Sequence, residues 1–223
     1  MTATSAVRPG PDRDQTMAGL LNQYGSFAEL IGALDALEWT RRTRCAGWQV
    51  RDVAGHVVGQ AMDVVGGTIG SRTPDDQAAA LRGESPTALA ASLRSAMDSV
   101  SGLMTVFDDA LWSAPSPAPG LTIGQGMHAL LQDAYVHGDD IRAALGLPFD
   151  PGPGLHASLD FVLGALLRDE TAAAEPAIAK LLTVPAEGFG ERTGMAPHDL
   201  LLAATGRSDP ARLRLPDTIN IFR

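Results

Sequence analysis

The 223-residue chain predicts a mainly α fold, a four-helix bundle followed by a smaller C-terminal α/β extension. Apolar residues recur at three- and four-residue steps over four long stretches, the period of a helix with one packed face. Breaks rich in proline and glycine separate those stretches, so each reads as its own helix, and no alternating strand pattern competes with them. A third observation sets the division. The segment Asp150-Pro-Gly-Pro-Gly154 interrupts the pattern and separates a bundle over residues 1–150 from an extension over 151–223.

In chain order, a polar arm to about Asp14 precedes the first helix, where Met17, Leu20, Leu21, Tyr24, Phe27, Leu30, Ile31, Leu34 and Leu37 form the apolar stripe. Gly25-Ser26 is placed to bend it, since glycine inside a helix costs ~1 kcal/mol relative to alanine. A link carrying Cys45 leads to the second helix, which restarts near Trp48 and packs through Val50, Val53, Val57 and Val58. It fades at Gly66-Gly67, and a polar loop holding Ser71 to Asp76 follows. Ser85-Pro86, a cap and then a first-turn proline, starts a third helix carrying Leu89, Leu93, Met97 and Val100 and ending by Trp112. Three prolines between Ala114 and Gly120 keep the next connection extended. Thr122 then caps a fourth helix from Ile123 to Leu145, stopped by Gly146 and Pro148. Beyond the break, Leu155 to Arg168 reads as a fifth helix and Ala172 to Leu182 as a sixth. Thr183 to Arg223 reads as a short helix at Pro197–Thr205 with two or three short strands.

Composition narrows the function. Seventeen Lys and Arg against 26 Asp and Glu leave a formal charge of -9, so there is no basic field for nucleic acid or an anionic membrane. One cysteine, Cys45, allows no internal disulfide and no cysteine-rich zinc site, and fits a cytoplasmic location. Met1 to Gln15 has no apolar run after its basic residues and does not read as a signal peptide. The longest apolar stretch, Leu155 to Leu167, is interrupted by Asp160 and too short to span a membrane. Phosphate-cradling glycine loops are missing as well.

The chemistry lies in two polar stripes on otherwise apolar helices. At about 100° per residue, Asp133, His137 and Asp140 fall in a stripe roughly 60° wide on the fourth helix. Asp52, His56, Gln60 and Asp63 make a second stripe on the second helix. A lone buried histidine needs no more than a hydrogen-bond partner, and His56 fits that reading too. Three groups from two helices, with Ala54, Gly55, Ala134 and Gly138 small enough to let the backbones approach, favour a metal site instead. His56, Asp133 and His137 supply the two imidazoles and one carboxylate that suit a catalytic zinc with an open position, though nickel, iron or manganese could take the same set. Asp140 and Asp52 are spaced to orient the imidazoles from behind. His128 lies nearly opposite His137 on its helix, and His156 and His198 fall outside the bundle. Cys45, beside Arg44, is either a reactive or an inert half-buried thiol.

Two motifs carry a family likeness. Cys45-Ala-Gly-Trp-Gln-Val-Arg-Asp-Val-Ala-Gly-His56 and Asp133-Ala-Tyr-Val-His137-Gly-Asp-Asp140, with a weaker match at Pro197-His-Asp-Leu-Leu-Leu-Ala-Ala-Thr-Gly-Arg207, resemble the DinB-like family of actinobacterial mycothiol-dependent enzymes that includes maleylpyruvate isomerase. The resemblance implies a four-helix bundle whose divalent metal, usually zinc, is held by His56, Asp133 and His137. One departure is visible, because the family's carboxylate is commonly glutamate. The motifs do not assign the family's substrate-contacting arginine to any one of Arg207, Arg212, Arg214 and Arg223. The expected function is a metal-dependent transferase or isomerase that activates mycothiol or a similar small thiol against a small electrophile. The contrasting reading is a non-catalytic metal-binding or stress-associated bundle on the same scaffold.

Overall fold

The computed structural model describes residues 12–104 and 106–223; most of the expected N-terminal arm, residues 1–11, lies outside them. Helix α1 (Arg13–Gly32) starts where Asp12 accepts a hydrogen bond from the Gln15 backbone N–H. It passes through Gly25 without interruption and stops short of the expected Leu37. There the Asp35 carboxylate draws in the N–H groups of Leu37 and Glu38, turning the chain into a short 3-10 segment and leaving Leu37 80% exposed. Helix α2 (Val50–Gly66) opens with Asp52 accepting the Gln49 N–H and closes on Gly67 at φ 67°.

Where a polar loop was expected, Thr73 and Asp76 exchange hydrogen bonds across the first turn of a helix, α3 (Pro74–Leu81). That reciprocal cap stabilises a short helix that its weak apolar pattern does not advertise. Helix α4 (Pro86–Met104) ends before the expected Trp112, which belongs to a separate turn, α5 (Asp109–Ser113). Thr122 and Gln125 cap α6 (Ile123–Leu145) reciprocally, and Gly146 ends it at φ 73°.

The bundle closes as a ring, with α1 packed on α4 and α6, and α2 packed on the same two. Tyr24, Phe27, Val53, Val57, Leu89, Leu93 and Leu131 are buried in its core. Helix α3 covers the outer side of α2, so α2 is buried on two faces and can hold Asp52, His56 and Asp63 away from water.

Helix α7 (Pro153–Arg168) packs on α6 and begins a second apolar core. Leu159, Leu163, Phe189 and Leu200 gather there with Tyr135 and Val136 of α6. The expected sixth helix is split by Pro176 into α8 (Glu170–Ala174) and α9 (Pro176–Leu182). The strands expected beyond Thr183 do not form. Among the described residues, α10 (Phe189–Thr193), α11 (Pro197–Ala204) and two 3-10 turns replace them, and the β-bridges that exist are the isolated pairs Arg42–Gln49 and Pro115–Thr122. Prolines 185, 197, 210 and 216 cut this stretch into pieces too short to pair and remove backbone donors a ladder would need. The C-terminal extension is therefore helical rather than α/β. No described helix is long and apolar enough to cross a membrane.

The small residues of α2 and α6 serve other neighbours than expected. A side chain at Gly55 would meet the backbone of Ala78 on α3, and one at Gly138 would meet Phe27 on α1. Gly59 is closer still, its hypothetical Cβ falling 2.9 Å from the Cβ of Gln77. Gly59→Val is expected to force α3 off α2 and lower stability by about 1–3 kcal/mol, read as a lower urea midpoint at unchanged slope.

Candidate metal centre

Residues from α2 and α6 converge beneath α3. His56 Nε2 lies 3.2 Å from Asp133 Oδ2, and His137 Nε2 lies 3.5 Å from Asp133 Oδ1. The two imidazole centroids are 5.0 Å apart and nearly perpendicular. One ligand atom from each of the three residues falls within 4.8 Å of the others. The indole of Trp48 flanks both rings, at 5.4 and 6.0 Å.

What surrounds the imidazoles decides which nitrogen carries hydrogen. His56 Nδ1 is 2.7 Å from Gln77 Oε1, which only accepts, so Nδ1 donates. Gln77 is held in that orientation because its amide N–H donates to Asp63 Oδ2 at 2.7 Å, and Asp63 is gripped in turn by Arg72 and Thr68. On the other side, His137 Nδ1 donates to Asp140 Oδ2 at 3.0 Å. With Nδ1 as the donor on each ring, a neutral imidazole would turn its Nε2 lone pair toward the Asp133 carboxylate. Asp133 Oδ2 is sealed from solvent and has no hydrogen bond of proper alignment, despite its nearness to His56.

Three inward acceptors with nothing between them repel, unless a proton or a cation sits among them. The charges already lean that way. Burial alone would push Asp133 up, but positive charge on the imidazoles of His137 and His56 brings it down to about 2. Burial would lower His56, and the Asp133 charge turns that into a net rise. Two of the distances are of the right size, with the two nitrogens meeting different oxygens of Asp133. Two ligands about 2.1 Å from one zinc at a tetrahedral angle stand about 3.4 Å apart, against 3.2 and 3.5 Å here.

A second set, Cys45, His137 and Asp140, also satisfies ligand distances but is chemically closed to a cation. Arg207 reaches Asp140 with Nε at 3.0 Å and Nη2 at 2.8 Å, and Arg44 Nε reaches it at 2.5 Å. Two guanidiniums already occupy the carboxylate; against the upward push of burial, His137 and Arg207 hold it well below its ordinary range. The Cys45 thiol donates to Asp140 at 3.0 Å, and burial followed by that negative charge raises it to about 12. Cys45 is thus a protonated thiol at neutral pH.

The expected residues distribute as follows. His56, Asp133 and His137 come together, and Asp140 orients His137. Asp52 does not orient His56; its carboxylate caps α2 and binds Arg82. Gln77 takes that role, and the Thr73-Pro-Asp-Asp76 capping signature was the signal for the helix that carries it. Of the four arginines left open, Arg207 is the one that joins this network, while Arg223 pairs with Asp169. His198 binds Asp139 at 2.8 Å beside Arg44, tying α11 to the far side of the same helix. His128 donates instead to the Ala157 carbonyl on α7.

Fold and site define a helical bundle with a possible metal-ligand group at the contact of α2 with α6. The chain belongs to the family described as the mycothiol maleylpyruvate isomerase N-terminal domain, whose model matches residues 20–142, more than half of its length. No curated protein and no solved structure matches it.

Asp63, 3% exposed, is held below the usual carboxylate range by Arg72, Gln77 and Thr68, against the upward push of burial. Its contribution to stability is present above the unfolded-state pKa of about 4 and fades as pH falls through the lower folded value. The urea midpoint is expected to drop below about pH 4. Asp63→Asn should start lower at neutral pH and show a shallower acid decline.

Proposed function

We propose that this protein is a metal-dependent enzyme that activates a low-molecular-weight thiol, mycothiol or one like it, against a small electrophile. His56, Asp133 and His137 hold the divalent cation, with zinc the first candidate. The observation that carries this reading is the orientation of three acceptor atoms toward one point, two of them locked from behind by Gln77 and Asp140. Membership in a mycothiol-related family supports the choice of thiol.

A cation held there supplies the positive charge that favours a thiol's ionised form near neutral pH. The chain's own groups do the rest. Gln77 and Asp140 keep both Nε2 lone pairs inward. Trp48 walls off one side of the imidazoles. Attack by sulfur forms a carbon–sulfur bond and moves an electron pair onto the electrophile. In a transferase the protonated adduct keeps the sulfur; in an isomerase it expels sulfur after rotation about the former double bond. Cys45 is unsuited to be the nucleophile, because Asp140 and burial keep its proton on.

Protein purified without chelator is expected to carry one zinc per chain, lost in His56→Ala and in His137→Ala, by elemental analysis. Gln77→Ala should weaken zinc binding about 10–100-fold while the bundle stays folded. With zinc in place, consumption of thiol in the presence of a model electrophile should persist in Cys45→Ser. Zinc binding without any thiol consumption across a panel of electrophiles would instead support a non-catalytic metal-binding bundle.

A further inference from the structure

Of the three proposed ligands, His56 and His137 are buried and Asp133 is partly exposed. His56 and Asp133 line a cleft of about 450 Å³ between α2, the Ser116–Leu121 connection and α6, a size that suits a small organic ligand. Its walls are apolar, including Val64, Leu121, Ile123, Met127 and Phe161.

Besides His56 and Asp133, the polar side chains in it are the amides Gln60, Gln77 and Gln132, the Ser116 hydroxyl, and the pair Arg72 and Asp63. Among the described lining residues, Arg72 is the one permanent cation, and the Asp63 carboxylate cancels it at 2.5 Å. A dication at the candidate centre would be balanced by Asp133 together with a thiolate. No positive charge is then left over for a carboxylate on the second substrate. Burying an unpaired carboxylate against such walls is strongly unfavourable.

We infer that this cleft receives an uncharged, largely apolar electrophile, not a dianion of the kind the family's name would suggest. This rests on the thiol-enzyme reading for the word electrophile, but the selectivity belongs to the cleft and can be measured alone. The probe is the uncharged fluorophore N-phenyl-1-naphthylamine bound to the zinc-loaded full chain. It is displaced in turn by diethyl maleate and by maleate, which share a carbon skeleton and differ in charge.

The diester is expected to displace the probe at concentrations at least tenfold lower than the dianion. Leu121→Arg, at the half-buried rim, should supply the missing cation and narrow or invert that ratio without changing zinc content. Phe161→Ala should weaken probe binding severalfold. Equal or better competition by maleate on the unmodified protein overturns the inference. So does probe binding that neither variant alters, because the probe is then elsewhere. If Leu121→Arg does not fold, the diester-to-dianion ratio and Phe161→Ala still decide. A chain that prefers the diester yet binds no zinc sinks the metal reading and leaves the cleft standing; one that binds zinc and prefers maleate does the reverse.

Discussion

Helix α6 is enclosed by the bundle on one side and by the second apolar core on the other, and everything else in the molecule answers to that enclosure. Leu131, Ala134 and Ile141 face the bundle, while Tyr135 and Val136 face α7. A helix buried all round would ordinarily be apolar all round. This one instead carries His128, Gln132, His137, Asp139 and Asp140 below 9% exposure. Each such group must find a partner or impose a desolvation penalty. For His128, Asp139 and Asp140 those partners come from distant parts of the chain: Ala157 on α7, Arg44 before α2, His198 on α11 and Arg207 after it.

The inward-facing groups are the exception, and the exception is informative. Asp139 and Asp140 are matched by guanidiniums and imidazoles. Asp133, one to two turns earlier, meets only two imidazoles whose hydrogens are committed elsewhere. The outer hydrogen bonds form two separate networks, Gln77–Asp63–Arg72 behind His56, and Asp140 with Arg207 and Arg44 both donating to it behind His137. The first belongs to the α2–α3 pair. The second reaches Arg207 beyond α11, so the extension helps to aim His137 of the bundle.

Much of the fold was legible because capping chemistry and helical period are local. Thr122, Gly146, Ser85-Pro86 and the Pro-Gly break all mark ends the structure keeps. The errors also have local causes. Asp35 outcompeted the apolar stripe that continued to Leu37, and Pro176 cut a helix that the stripe ran through. Helix α3 was hidden because its eight residues carry little apolar face, and with it went Gln77. Asp52 sat at the right spacing to serve His56, but a first-turn carboxylate has a nearer partner in the Gln49 N–H.

By itself the sequence determined the helices, the facing polar stripes and the candidate triad, because i, i+4 spacing on a helix places side chains without reference to the rest of the chain. Only the tertiary structure decided what stands behind and beside that triad. Gln77 reaches His56 across 21 positions, and Arg207 reaches Asp140 across 67. Contacts that distant leave no periodic trace in the residues between them, and neither does the largely apolar cleft that Gln77 helps to line.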